Sequence, residues 1–230
     1  MNDKMIKNVK AVFIDIDNTL LDFNKCANEC IRLSFEKHNL PFSSGVFPVF
    51  KKINDGLWLE IELGTLTKKR LHEIRFNKVL NALGIDFDGT IIEQEFLSNL
   101  KVCAIPVDGA HELISYLAKK YIVCTASNSF YNQQVNRLTT AKMYDYVDYM
   151  FISEVLGKEK PTKEFFDECF SRLDGIKISE VVMIGDSLTA DMKGGKQYGI
   201  TTIWFNPNGE TPNNDCDYTV KELLEIKNYL

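Results

Sequence analysis

Two pairs of aspartates follow apolar segments of the chain, and the first pair suggests metal-assisted chemistry. Asp15 and Asp17 come directly after the apolar segment 11–14. Side chains two residues apart in an extended chain point to the same side, so we expect both carboxylates to project together from the end of a buried strand. Neighbouring carboxylates favour a bound cation, and Mg²⁺ accepts one or two carboxylates together with phosphate oxygens and water. Asp15 is then a candidate nucleophile, with Asp17 beside it for proton transfer.

The second pair follows another apolar segment, residues 181–184. Asp186 stands at its end and Asp191 follows five residues later. If this strand lies beside the first, Asp186 reaches the same edge of the sheet and completes a Mg²⁺ site made only of oxygen ligands. Asp191 has two interpretations, a role in the metal site or a favourable acidic position in the first turn of a helix.

Two more segment ends carry groups able to bind a phosphate. Ser127 and Asn128 follow the apolar segment 121–126, and a hydroxyl and an amide near a helix N-terminus can bind phosphate oxygens. The same Ser-Asn-Ser sequence also serves as an ordinary helix cap. Lys160 precedes Pro161 at the start of a predicted helix. A lysine in a loop is usually solvated, and only its position relative to the other groups makes it a candidate.

The acidic spacing of the first pair recurs at Asp86 and Asp88, which are followed by Gly89 and Thr90. This second segment lies between two helical patterns rather than after a strand. We therefore predict a turn there, with Asp88 or Thr90 capping the next helix.

The elements that position these groups are of two kinds, and the first is a βα alternation. From about Pro106 onward, short apolar runs alternate with amphipathic stretches, which predicts a parallel sheet whose strands are buried on both faces. One more strand of this type stands near the N-terminus. The predicted strands are 11–14, 121–126, 149–152, 181–184 and 201–205, and the predicted helices are 109–119, 130–142, 163–173, 189–198 and, after a polar loop at 206–217, 220–229.

The second kind of element is a helical insert between Asp22 and about Lys101. Its apolar residues recur every three or four positions, with Thr67 predicted to cap one helix and Gly84 to end it. The sequence thus predicts two domains: residues 1–20 with 104–230 form an α/β core, and residues 21–103 form a helical cap. The cap enters after the first strand, where ligands of open α/β sheets bind.

Composition limits the partners. The 230 residues carry 27 Lys and Arg against 32 Asp and Glu, a net charge of −5, which argues against a nucleic acid polymer. No apolar run approaches the roughly 20 residues that span a bilayer, and residues 1–10 build no signal-peptide core. We expect a cytoplasmic monomer or homodimer without a membrane partner. The six scattered cysteines are predicted to be buried thiols, so any metal should be held by oxygen.

Taken in chain order, these motifs resemble those of the haloacid dehalogenase superfamily over essentially the whole chain. The motifs are Asp-x-Asp-x-Thr, a strand ending in Ser, Lys-Pro before a helix, and Gly-Asp with an acid five residues on. The resemblance implies an α/β fold with a Rossmann-like three-layer core, a parallel sheet of strand order 5-4-1-2-3 and an inserted all-helical cap.

The resemblance also implies an activity, Mg²⁺-dependent hydrolysis of small phosphorylated metabolites. Asp15 would form an aspartyl-phosphate, and Asp17 would protonate the leaving group and later activate water. Ser127 and Lys160 would hold the phosphoryl oxygens. The side chains of Asp15 and Asp186 and the backbone carbonyl of Asp17 would bind Mg²⁺.

Three further residues enter the predicted site through the same motifs. Thr19 ends the first motif and is expected to bind substrate, as is Asn128. Asp191 is expected to join the metal site.

Within the insert, Trp58 and Arg75 belong to a pattern similar to the cap of pyrimidine 5'-nucleotidase-type members. This favours a nucleoside 5'-monophosphate as substrate. Trp58 either stacks on a base or packs in the cap, and Arg75 either contacts the nucleotide or forms a surface ion pair. Ser129 stands where members usually have Gly, which bears on how closely the backbone approaches a phosphate.

Other functions remain open at this stage. Sugar phosphates and other small metabolites are alternative substrates, and phosphomutase activity or a catalytically idle binding module are alternative functions. A dehalogenase is disfavoured, because members that remove halide lack an acid at the position of Asp17.

Overall fold

A computed structural model of the chain describes residues 5–211 and 215–230. Residues 1–4, within the predicted N-terminal segment, and 212–214, within the predicted polar loop, lie outside the described residues. The chain divides into two compact units, Met1–Asp22 with Ala104–Leu230, called the core below, and Phe23–Cys103, called the cap. The core extends two residues beyond the predicted residue 20. Leu21 forms a β-bridge with Pro106, and the amide of Asp22 donates to the carbonyl of Ile105, which ties both residues to the core.

The core contains a six-stranded sheet. The strands are β1 (Ala11–Ile14), β2 (Ile122–Ser127), β3 (Tyr149–Ile152), β4 (Val181–Gly185), β5 (Thr201–Phe205) and β6 (Tyr218–Val220). Every strand pairs in parallel with its neighbour, in the order β3-β2-β1-β4-β5-β6. The predicted α/β class and the order 5-4-1-2-3 are confirmed, and β6 extends the sheet beyond β5.

The described residues of the cap contain four α-helices and no strand. The rings of Phe50, Phe76 and Phe96 pack together at its centre, with ring centroids 5.2–5.5 Å apart. As predicted, the Thr67 side chain caps a helix by accepting from the amide of Arg70. The helices are α1 (Phe23–Lys37), α2 (Val46–Glu62), α3 (Lys68–Ala82) and α4 (Gly89–Leu100).

The helices of the core cover both faces of the sheet, which gives the predicted three layers. Val12 and Ile14 of β1 pack in one apolar cluster with the helices Ala110–Leu117 and Tyr131–Thr140, while Ala11 and Phe13 pack in another with the helix Lys163–Phe170. This alternation follows from the period of two along a strand. The core α-helices are α5 (Ala110–Leu117), α6 (Tyr131–Thr140), α7 (Ser153–Leu156), α8 (Lys163–Phe170) and α9 (Gly194–Tyr198).

The C-terminal part of the core differs from the sequence-based expectation. Strand β6 was not predicted, because it is a three-residue edge strand within a polar sequence. The predicted helix at 220–229 is instead a 3₁₀ helix, Leu223–Asn228, which begins after that strand. The predicted helix at 189–198 is a π-helix, Leu188–Lys193, followed by α9.

The cysteines and the helices bear on two further predictions. Cys26, Cys30, Cys124 and Cys169 are buried as expected, whereas Cys103 and Cys216 are partly exposed. Among the described helices, none is both long and apolar enough to cross a membrane.

Candidate active site

The carboxyl ends of three neighbouring strands bring the predicted site residues of the core together. Strand β1 lies between β2 and β4, with Ile14 in register with Thr125 on one side and Ile184 on the other. The residues that follow these positions therefore meet at one edge of the sheet. This edge carries Asp15 after β1, Ser127 at the end of β2 and Asp186 after β4.

Asp15, Asp186 and Asp191 form a compact acidic cluster. One carboxylate oxygen from each lies within 4.8 Å of the others. Asp191 is fully buried and comes from the π-helix after β4, where its Oδ2 accepts from the amide of Ser187 at 3.1 Å. Asp191 therefore fits both of its interpretations, since it occupies the first turn of this helix and also belongs to the acidic cluster.

Gly185 makes the approach of Asp191 possible. A Cβ atom added at Gly185 would lie 2.2 Å from Oδ2 and 2.4 Å from Cγ of Asp191. No side chain fits at that distance, so the Gly-Asp sequence at the end of β4 has a steric cause.

Lys160 provides the positive charge of this cluster and is itself buried. Its Nζ donates to Oδ1 of Asp15 at 2.7 Å, to Oδ1 of Asp191 at 2.6 Å and to the carbonyl of Ala126 at 2.5 Å. Burial opposes the charge of this ammonium group, but the Asp15 and Asp191 carboxylates outweigh burial and raise the pKa of Lys160. The predicted alternative of a solvated loop lysine is therefore wrong.

The pKa values of two carboxylates of the cluster are also raised, but for these acids burial is the cause that prevails. Burial raises the pKa of Asp15 to about 7; Lys160 works against this shift, and the charges of Asp191 and Asp17 add to it. Burial, followed by the charges of Asp15 and Asp191, also raises the pKa of Asp186 well above its ordinary value. Three carboxylates facing one ammonium group leave an excess of negative charge that a divalent cation would balance.

The donor set of the cluster fits a hard cation such as Mg²⁺. All the candidate ligand atoms are carboxylate oxygens, which Mg²⁺ prefers over nitrogen and sulfur. The cluster could therefore hold such an ion through Asp15, Asp186 and Asp191.

Asp17 lies close enough to Asp15 to affect its pKa but is bound by different partners. Its Oδ1 accepts from NH1 of Arg137, and its Oδ2 accepts from Nε2 of Gln134 at 2.7 Å. The chain turns in this region: the carbonyl of Ile16 accepts amide hydrogen bonds from the residues at 19–21, and Asp17 forms a β-bridge with Leu21.

Sequence reasoning missed Gln134 and Arg137, although both are fully buried. They are three residues apart on α6 and so lie on one side of the helix. The sequence feature that could have indicated Arg137 is its position beside Leu138, a residue of the apolar cluster that packs on the sheet. An arginine on the buried side of a helix needs an acidic partner.

Three predicted substrate-binding residues of the core make contacts within the protein. The Thr19 hydroxyl donates to Oδ1 of Asp186 at 3.3 Å, and the Ser127 hydroxyl accepts from Nε2 of Gln134 at 3.0 Å. The Asn128 amide forms two 2.8 Å bonds with the backbone of Lys160, accepting from its N–H and donating to its carbonyl. Thr19 and Asn128 thus support the cluster and the lysine, a role that the sequence did not indicate.

The two predicted substrate-binding residues of the cap lie in its own packing. Arg75 is 2% exposed; its guanidinium bonds both carboxylate oxygens of Glu93 and Oδ1 of Asn54. The expectation of a surface ion pair was wrong, because this ion pair is buried. Trp58 is partly buried and packs against the cluster of Leu57, Ile61 and Leu71, which favours its packing interpretation.

Comparison with known proteins shows the family of the chain. Residues 9–199 match the model of the haloacid dehalogenase-like hydrolases. The chain belongs to this family and is a hydrolase, which confirms the superfamily resemblance.

Curated relatives match over nearly the whole chain. The HAD-hydrolase YfnB of Bacillus subtilis is 33% identical over 98% of this chain and 97% of its own length. The pyrimidine 5'-nucleotidases PynA of Streptococcus pneumoniae and YjjG of Escherichia coli are 31% and 28% identical, over 86% and 95% of this chain and 84% and 96% of their own lengths. A crystal structure of YfnB, described as bound to magnesium, superposes with a TM-score of 0.90 at 32% identity, over 96% of this chain and 97% of that one.

Proposed function

We propose that this protein is a Mg²⁺-dependent phosphomonoesterase that works through an aspartyl-phosphate intermediate. The observation that carries this proposal is the position of Asp15, a buried carboxylate held by Lys160 beside Asp186 and Asp191. Burial, with the charges of Asp191 and Asp17 adding to it, raises the pKa of Asp15, and a bound cation would favour the ionised carboxylate and offset this repulsion. The magnesium described for the YfnB structure supports the choice of ion.

The proposed reaction has two steps. In the first, a carboxylate oxygen of Asp15 forms a bond to phosphorus while the bond to the leaving oxygen breaks, and Asp17 gives its proton to that oxygen. In the second, water attacks the phosphorus of the aspartyl-phosphate, Asp17 takes a proton from the water, and the Asp15 carboxylate is restored with release of phosphate. Lys160 and Ser127 bind the phosphoryl oxygens during both steps.

Mg²⁺, when bound, offsets negative charge on the phosphoryl group and allows the anionic Asp15 to approach it. The residues that would hold it are Asp15, Asp186 and Asp191, together with the backbone carbonyl of Asp17. Thr19 keeps the Asp186 carboxylate in place through its hydroxyl.

The proposed substrate is a pyrimidine nucleoside 5'-monophosphate. This choice rests on the two relatives named pyrimidine 5'-nucleotidases, PynA and YjjG. Other relatives carry the names of sugar phosphate phosphatases, such as glyceraldehyde 3-phosphate phosphatase at 24% identity, so the assay must include both classes.

The test is hydrolysis of a panel of nucleotides and sugar phosphates with Mg²⁺ and with EDTA. We expect UMP, dUMP and TMP to be hydrolysed best, and only with Mg²⁺. A clear preference for a sugar phosphate would overturn the substrate, and full activity in EDTA would overturn the dependence on Mg²⁺.

The mechanism is tested with Asp15→Asn and a matched control, Asp86→Asn. Asp86 begins the segment of the same spacing in the cap and is exposed. We expect Asp15→Asn to lower kcat by more than about 1,000-fold, because the nucleophile is lost, and Asp86→Asn to keep wild-type kcat. Substantial activity in Asp15→Asn, or an equal loss in both variants, would contradict the aspartyl-phosphate mechanism.

A further inference from the structure

Arg137 is the largest fully buried side chain of the core, and it lies on α6, outside all the motifs of the site. Its guanidinium forms an ion pair with the Asp17 carboxylate, whose side chain is 27% exposed. Burying a guanidinium without a counter-charge is strongly destabilising. The Asp17 carboxylate, which we propose as the acid and base, is thus the counter-charge of the buried Arg137 guanidinium.

Gln134, one turn earlier on α6, completes the arrangement. Its Nε2 donates to Oδ2 of Asp17 at 2.7 Å and to Oγ of Ser127 at 3.0 Å, and its Oε1 accepts from NH1 of Arg137 at 3.1 Å. Each oxygen of the Asp17 carboxylate thus has its own donor. The same amide also connects Asp17 with the proposed phosphate-binding hydroxyl of Ser127.

The Asp17 carboxylate is held by side chains of α6. Asp17 lies just beyond β1, in a turn where Asn18 adopts a left-handed conformation with φ of 59°. A side chain on such a turn has several rotamers available, whereas proton transfer needs a fixed orientation toward the leaving oxygen. The side-chain bonds from α6 provide that orientation.

We propose that Gln134 and Arg137 are positioning residues that hold the Asp17 carboxylate in the orientation for proton transfer to the leaving group. This inference rests on the proposed role of Asp17 and goes beyond it. Neither residue touches the reacting atoms. Their effect should therefore depend on how much a given leaving group needs the proton.

The test compares kcat/KM for two phosphomonoesters, p-nitrophenyl phosphate and UMP, in the presence of Mg²⁺. The phenolate of the first leaves readily without a proton, whereas the alkoxide of the second requires one. For Arg137→Met, we expect kcat/KM to fall about 10- to 100-fold for UMP, within the range for loss of general acid catalysis, and less than about 3-fold for p-nitrophenyl phosphate. Arg137→Lys, which keeps the charge, should recover part of the activity toward UMP.

Leu138→Ala is the matched control on the same helix. Leu138 is fully buried beside Arg137 in the apolar cluster and makes no side-chain hydrogen bond. Its truncation should lower the melting temperature, since removing a buried leucine leaves a cavity, and leave the ratio of the two kcat/KM values unchanged. If Arg137→Met lowers both kcat/KM values equally, the residue is structural and the inference is wrong.

Two more variants separate the failure of this inference from that of the proposed function. If Asp17→Asn leaves the ratio of the two kcat/KM values at the wild-type value, the proposed acid role itself fails. If Asp17→Asn changes the ratio and Arg137→Met does not, only the positioning role fails. Gln134→Met, which keeps the side-chain volume, should change the ratio in the same direction as Arg137→Met, and it provides the measurement if Arg137→Met does not fold.

Discussion

Two segments of the chain share the spacing Asp-x-Asp-x-Thr and have opposite environments. Asp15 in the core is buried and bonded to Lys160, and burial raises its pKa to about 7. Asp88 in the cap caps α4 by accepting from the amide and hydroxyl of Thr90, and these hydrogen bonds, the hydroxyl first, lower its pKa. The prediction of a capping turn in the cap is confirmed. The motif itself does not distinguish the two segments. The core segment follows a strand, β1, that lies between two other strands, whereas the cap segment lies between two helices.

The fourth position of each segment shows the same contrast. Asn18 in the core has a left-handed backbone, which asparagine tolerates. Gly89 in the cap lies against α3, where an added Cβ would be 2.2 Å from the backbone nitrogen of Asn77. One position permits a sharp turn after a strand, and the other permits the close packing of two helices.

The largest effect on this comparison should come from β4, a strand that only the core segment has beside it. Gly185→Ala forces Asp191 away from Asp15 and Lys160. Because misplacing a catalytic group by about 1 Å can cost on the order of 100-fold, we expect kcat/KM for UMP to fall by about that factor. Steady-state kinetics measures the fall in kcat/KM. Mg²⁺ titration of the melting temperature measures the displacement of Asp191 from the proposed metal site.

The control for this variant is Gly56→Ala in α2. An added Cβ at Gly56 meets open space, so this change should stabilise the helix by about 0.5–1 kcal/mol. Wild-type kcat/KM in Gly185→Ala would contradict the steric role of Gly185.

The next effect concerns stability and pH in protein kept free of metal with EDTA. The pKa of Asp15 in the folded protein, about 7, lies above its ordinary value of 3.8. Between pH 3.8 and about 7, the folded state therefore keeps a proton on Asp15 that the unfolded chain has lost. The contribution of Asp15 to stability is fully present below this pH range and decreases as pH rises through the range. We expect a loss on the order of 2–4 kcal/mol between the two pH limits.

Urea unfolding of the wild type and of Asp15→Asn at several pH values in EDTA measures this loss as a difference between the two proteins. The difference should shrink when Mg²⁺ is added, because a cation favours the ionised carboxylate. A pH dependence that is identical in the two proteins would show that Asp15 titrates normally.

The smallest effect is a difference of sign between two changes in melting temperature, one for Asp186 beside the core segment and one for Asp88 within the cap segment. At pH 8 in EDTA, Asp186→Asn should raise the melting temperature, because it removes a carboxylate whose pKa is strongly raised and keeps an acceptor for Thr19. Asp88→Ala should lower the melting temperature, because it removes the cap of α4. Thermal unfolding of both variants measures the two shifts. Shifts of the same sign would contradict the opposite environments of the two carboxylates.

The sequence predicted what local patterns determine. The ends of β1 and β4 could be predicted from apolar runs that are followed by acids. These two strand ends placed Asp15 and Asp186 at one edge of the predicted sheet. The order of the motifs also indicated Lys160, although no local feature near it distinguishes it from a solvated lysine. The family resemblance, rather than periodicity, supplied the strand order.

The sequence did not indicate pairings that depend on how elements pack. Arg137 and Asp17 are 120 residues apart, and α6 resembles an ordinary surface helix unless its packing against the sheet is known. The contact of Asn128 with the backbone of Lys160 likewise joins two loops at the ends of different elements. Strand β6 is too short for a pattern of alternating residues to be recognised.

On the proposed role of Lys160 as a phosphate ligand, the hydrogen bonds of its ammonium group bear on product release. All three of its protons are engaged, by Asp15, Asp191 and the carbonyl of Ala126. If Lys160 binds a phosphoryl oxygen, that oxygen has to displace one of these acceptors, so binding is an exchange of hydrogen bonds rather than a gain of one. The displaced acceptor then competes to return, which favours the departure of inorganic phosphate and limits inhibition by the product.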